Sequence, residues 1–117
     1  MSKLSKKRKK HEEKTITLED GDLFGLILRM LGGSWIEVYC SDEKVRKVRI
    51  PRSKRRVRVK ENDVIIVRPW YGIDENRADL KDKLTPRHIK NLLQTEHRDA
   101  ILKVLTDELK ELYGIEE

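Results

Sequence analysis

Over residues 23–70 every apolar run is short, and each one stops at residues that turn the chain. Residues 23–31 are almost continuously apolar, broken by Gly25 and Arg29, and Gly32-Gly33 follows as a hairpin signal. Trp35, Ile36, Val38, Tyr39 and Cys40 form the next run, closed by Asp42-Glu43. Val45, Val48 and Ile50 form a third, closed by Pro51, which has no N–H for an interior ladder. Val57 and Val59 alternate with Arg56, Arg58 and Lys60, and residues 61–63 turn the chain into the compact apolar run 64–67. Four or five short strands joined by tight turns favour a small closed sheet over a two-layer α/β domain. Gly25 inside the first strand marks a bend or a close approach of backbones.

Beyond residue 70 the pattern changes. Residues 71–77 read as a polar loop, and 78–84 as a last strand through Ala78, Leu80 and Leu84, with Asp82 spoiling its inner face. Thr85-Pro86 is a helix start, with Thr as N-cap and Pro at the first helical position. Ile89, Leu92 and Leu93 give residues 85–94 a short apolar face to pack on or beside the barrel. Residues 98–114 read as one amphipathic helix, with Ile101, Leu102, Leu105, Leu109 and Leu112 as its stripe and Gly114 as C-cap. That stripe packs on the barrel, on the first helix or on a partner chain. The fold class is therefore mainly β: a barrel over residues 15–84, then C-terminal α-helices.

Charge is distributed unevenly. The chain carries a net +6 over 117 residues, and 41% of them are charged. Residues 1–14 hold seven basic and two acidic groups with no apolar periodicity, which reads as a disordered basic arm. Residues 44–60 hold ten Lys or Arg and no acid. Two positive blocks of this kind point to a polyanionic partner. The second block also alternates, with Val48 and Ile50, then Val57 and Val59, turned inward, so it reads as a folded surface of two strands joined by residues 52–56. Like charges side by side on a sheet cost roughly 0.2–1 kcal/mol per pair. Phosphates offset that cost through contact and counterion release.

The candidate nucleic-acid contacts are Lys44, Arg46, Lys47, Arg49 and Arg52, then Lys54, Arg55, Arg56, Arg58 and Lys60. Arg68 joins them, and Trp35 and Trp70 are candidate platforms for unstacked bases. In the arm, Lys6, Lys7, Arg8, Lys9 and Lys10 are candidate phosphate contacts. Phe24 and Tyr39 read as core residues.

Other classes find little here. The single Cys40 allows no intrachain disulfide and reads as a small buried residue in a reducing, cytoplasmic protein. Histidines at 11, 88 and 97 make no metal spacing with Cys40, and no phosphate-binding glycine loop occurs. Asp79 and Asp82 read as surface residues. No run is long enough to span a membrane. The expectation is a monomeric binding protein, not an enzyme, with no cofactor or metal.

Several ordered features resemble the archaeal and eukaryotic translation initiation factor 1A family. Asp20-Gly21 precedes a strand ending Arg29-Met30-Leu31-Gly32, and Ile36-Glu37-Val38-Tyr39-Cys40-Ser41-Asp42 matches the next strand and its Cys-x-Asp turn. Arg49-Ile50-Pro51, then Glu61-x-Asp63-Val64-x-x-Val67-x-Pro69-Trp70, then Arg77-Ala78-Asp79-Leu80 follow in order. The resemblance covers residues 16–94. It implies a five-stranded OB-fold barrel followed by a helical element. It also implies binding to small-subunit rRNA at the decoding A site, with initiator tRNA and other initiation factors as partners. The rRNA contacts it implies fall on Lys47, Arg49, Lys54, Arg55 and Arg56, with Arg68 and Trp70 as a further region. The chain departs from the family in its shorter, more basic 52–56 connection, in Arg58 at the family's tryptophan position, and in a more charged last strand. An amphipathic helix stands where eukaryotic members carry an acidic tail. Two other readings stay open: an OB-fold RNA-binding protein or RNA chaperone with a different target, and a protein-interaction adaptor using the C-terminal helix.

Overall fold

The apolar run that opens the folded part becomes β1 (Leu23–Gly32), followed by β2 (Trp35–Cys40), β3 (Val45–Arg49), β4 (Val64–Trp70) and β5 (Asp74–Lys83). The computed structural model describes residues 18–114. The strands close into a barrel in the order β1-β2-β3-β5-β4. All neighbours are antiparallel except β3 and β5, which run parallel. Gly32 and Gly33 both take positive φ, at 94° and 58°, and let β1 fold back on β2 through a two-residue turn with Gly32 opposite Trp35. Gly25 is a site of close approach: a methyl there would overlap the Val38 side chain.

Two clusters hold the barrel, one inside it and one outside. Ile27, Ile36, Val38, Cys40, Val48, Ile65, Val67, Ala78 and Leu80 fill the interior. Phe24, Leu26, Val64 and Ile66 point outward from β1 and β4 and are covered by Leu84, Ile89, Leu93, Ile101, Val104 and Leu105. This second cluster explains why β1 and β4 read as continuous apolar runs: both of their faces are buried. Beyond Ile27 the cover ends, and Leu28, Met30 and Leu31 are exposed.

Three expectations need correction. Val57 and Val59 do not form a strand. The chain makes a 3-10 turn at Arg52–Lys54, then runs irregularly to Asp63. The reason is topological: β3 is already paired to β2 and β5, and β4 to β1 and β5, so no sheet edge is left. The two valines instead pack, half-buried, on the interior cluster. The last strand starts at Asp74, inside the segment expected to be loop. The C-terminal helix is two helices.

Those helices follow α1 (Pro86–Leu92) and are α2 (Arg98–Val104) and α3 (Asp107–Leu112). Thr85 caps α1 as expected: its side chain accepts from the His88 N–H at 3.2 Å, and its own N–H donates to His88 Nδ1 at 3.1 Å. The break after α2 comes from Leu105, which is extended, and Thr106, whose side chain accepts from the Leu109 N–H at 3.3 Å. Thr106-Asp107-Glu108 is an N-cap followed by first-turn acids, a start signal hidden beneath the leucine stripe. Of that stripe, Ile101 and Leu105 are buried, Leu102 and Leu109 are half-buried against the outer cluster, and Leu112 is 73% exposed. Val104 joins the core although it lies off the expected stripe. No helix among the described residues is long and apolar enough to cross a membrane.

Candidate nucleic-acid interface

Strand register gathers the outward side chains of β2, β3, β5 and β4 into one surface. Trp35 lies opposite Arg49, Lys47 opposite both Glu37 and Arg77, and Asp79 opposite both Arg49 and Arg68. The Trp35 and Trp70 rings meet edge to face with centroids 6.2 Å apart. The Arg49 guanidinium lies 5.2 Å from the Trp70 centroid, and Arg77 lies 5.4 Å from that of Trp35. Each contact is worth about 0.5–1 kcal/mol at an exposed site. Arg49 also forks onto Asp79 at 3.1 and 3.3 Å, which fixes its plane over the ring. Cation, ring, ring and cation therefore stand side by side on the barrel wall. Such a wall offers π-faces to unstacked bases and positive charge to the phosphates between them.

Arg77 is the member that sequence reasoning missed, because it lay in a stretch read as loop. Its signal was the parallel β3–β5 register, which local patterning does not reveal.

The candidate cations divide into two groups. Lys44, Lys47, Arg52, Lys54, Arg55, Arg56, Arg58 and Lys60 make no ion pair among the described residues, and all but the half-buried Lys54 are exposed. Arg49 is paired but remains 46% exposed. Two others are placed differently from the expectation. Arg46 is only 4% exposed; both its terminal nitrogens donate to Asp42 at 2.8 Å, and its Nε donates to the Glu75 carbonyl at 2.8 Å. It belongs to the wall between β3 and β5, since the face of β3 at position 46 is covered.

Arg68 is half-exposed but bound to Glu19 at 2.9 Å and Asp22 at 3.0 Å. Lys81 joins the same two carboxylates. Burial opposes ionisation of Asp22, but hydrogen bonds from Lys81, the Glu19 N–H and Arg68 outweigh it and hold the carboxyl below its usual range. The Tyr71 hydroxyl donates to the Gly21 carbonyl at 2.7 Å. Together these contacts fasten residues 19–22 to β4 and β5, beside the tryptophan pair.

Lys6, Lys7, Arg8, Lys9 and Lys10 lie outside the described residues. Among the described residues no group of three or more His, Cys, Asp or Glu side chains is placed to hold a metal ion. Cys40 is fully buried, and that burial pushes its thiol pKa up.

A closed five-stranded barrel with a parallel β3–β5 closure and terminal helices defines an OB-type barrel protein. The family model described as "Translation initiation factor 1A / IF-1" matches residues 10–111, and the chain belongs to that family. Translation initiation factor 1A of Thermococcus kodakarensis is 41% identical over 75 residues, covering 63% of this chain and 64% of that protein. That alignment therefore spans slightly less than two thirds of its relative. The Pyrococcus abyssi protein of the same name is 34% identical over 96 residues, covering 80% of this chain and 85% of its own length. The Methanopyrus kandleri protein, also translation initiation factor 1A, is 34% identical over 92 residues, covering 78% and 82%. The resemblance drawn from the sequence features is borne out.

Proposed function

We propose that this chain is a translation initiation factor that binds the small ribosomal subunit near the decoding A site and promotes positioning of initiator tRNA. It works by binding and occlusion in the cytoplasm, with other initiation factors as partners. The observation that carries the reading is the Arg49–Trp70–Trp35–Arg77 array on the barrel wall of a member of this family, in a chain whose 44–60 segment also holds eight cations that make no ion pair among the described residues. The cations fix the barrel against phosphates, and the aromatic wall takes bases splayed out of a structured RNA.

The adaptor reading loses most of its surface. Ile101 and Leu105 are buried on the barrel, which leaves Leu112 as the exposed part of that stripe.

Chemical footprinting of isolated small subunits, with and without the protein, tests the proposal. Protection centred on the decoding site is the expected result. Protection elsewhere, with tight binding to free RNA, would transfer the barrel to a different RNA target.

A further inference from the structure

The 55–60 stretch poses a physical problem. Arg55, Arg56, Arg58 and Lys60 repel one another, make no ion pair among the described residues, and lie outside any strand ladder. A chain so charged and unpaired would sample many conformations, yet an array that matches a folded RNA needs fixed spacing.

Its two ends are fastened by backbone contacts. At one end the Val57 N–H donates to the Lys54 carbonyl at 3.0 Å. At the other, the Asn62 N–H donates to the Ile27 carbonyl at 2.8 Å, and the Ile27 N–H donates to the Asp63 carbonyl at 3.0 Å. The Asp63 carboxylate accepts from the Lys60 N–H at 2.9 Å. Between these ends one side chain reaches in from the sheet. Lys83, on β5 opposite Ile65, donates from Nζ to the Arg58 carbonyl at 2.8 Å and lies 3.4 Å from Asp63 Oδ2. Among the described residues no other hydrogen bond reaches Arg58 or Val59. Lys83 thus turns its ammonium toward the protein backbone, whereas the neighbouring cations present theirs to solvent.

We propose that Lys83 is a positioning residue for RNA binding: it holds the centre of the 55–60 segment so that Arg56, Arg58 and Lys60 meet a structured RNA at set spacing. This rests on the reading of that segment as an RNA-binding element. A folded RNA with fixed phosphates requires the preorganised array, whereas a flexible polyanion can adapt to a loosened one.

The test uses the full chain with K83M, K83R and D63N. Amide hydrogen exchange without RNA is read first, then affinity for isolated small subunits and for poly(U) across a salt series. In K83M, faster exchange is expected at the hydrogen-bonded amides of Lys60 and Asn62, with the strand amides unchanged. Affinity for the subunit should fall about three- to tenfold, that for poly(U) less than about twofold, and the salt slope should hold, because preorganisation is lost without a phosphate contact. K83R should restore most of the affinity, and D63N, which keeps an acceptor but removes the charge, should give a smaller change of the same pattern. Unchanged exchange at Lys60 and Asn62 would overturn the proposal. So would equal losses on both RNAs with a salt slope reduced by about one, the mark of a direct phosphate contact. Loss of strand protection in both K83M and D63N would reassign these residues to the barrel's own stability. If the wild-type protein fails to bind small subunits, the functional reading falls, while the exchange experiment still reports whether Lys83 holds the segment.

Discussion

Arg46 forks onto Asp42 with two 2.8 Å hydrogen bonds and carries its third to the Glu75 carbonyl, all from a side chain 4% exposed. Ten cations of one segment look alike in sequence, but this one closes the wall between β3 and β5. R46M is expected to destabilise the fold by about 1–3 kcal/mol, at or below the lower end for broken buried pairs because Asp42 stays partly solvated. R56M, which removes an exposed cation, should stay within about 0.5 kcal/mol of wild type. Urea denaturation with a common m-value separates the two. Equal midpoints would refute the structural role of Arg46.

Acid should loosen the clamp at residues 19–22. Asp22 is held below its usual pKa despite burial, and Asp42 is held down first by its hydrogen bond to Arg46. For both, the folded value lies below the unfolded one, so the unfolded chain binds more protons as pH falls. The stabilisation is fully present above the ordinary aspartate value of about 4 and is lost as pH drops through the folded values. Stability measured from pH 7 to 2 should be level at first and then fall below about pH 4, and D22N should be less stable at neutral pH with a shallower acid limb. Parallel acid limbs for the two proteins would remove Asp22 from this account.

Gly25 sits opposite both Cys40 on β2 and Ile65 on β4, where a methyl would run into Val38. G25A is expected to cost about 1–3 kcal/mol through overpacking. Adding V38A should recover part of that loss, so that the double variant is more stable than the sum of the singles. Thermal melts of the four proteins test the coupling; simple additivity would place the strain elsewhere.

Strand positions were legible because turn residues bracket each apolar run: Gly32-Gly33 carries the end of β1 into its turn, and Asp42-Glu43 and residues 61–63 fall between strands. Thr85-Pro86 was equally plain as a cap. Part of what failed depended on long-range pairing, and part on a local cap masked by a stronger pattern. Whether Val57 and Val59 could join a ladder was decided by β5, which takes the free edge of β3. Whether the leucine stripe was one helix was decided by Thr106, whose cap lay under a continuous 3.6-residue pattern. For the site, the cations were visible as a block, but their division was not. Arg46 and Arg68 were set apart by carboxylates brought in by the fold, and Arg77 was brought to Trp35 by the same β3–β5 register.

The tryptophan wall and the basic loop should therefore leave different signatures in binding. Trp70 lies against Trp35 and beneath Arg49, offering a π-face but no charge. W70A should weaken RNA binding by about 1–3 kcal/mol if one base stacks there, with its salt dependence unchanged. W70F keeps a ring and should recover part of the loss. Combined replacement of Lys54, Arg55 and Arg56 by Ala should also weaken binding but reduce the slope of log K against log salt by about two to three units, at about 0.7–0.9 per phosphate contact. Titrations from low to moderate salt would distinguish the two. A slope change in W70A would assign its effect to displaced Arg49, and an unchanged slope in the triple variant would show that the loop does not neutralise phosphates.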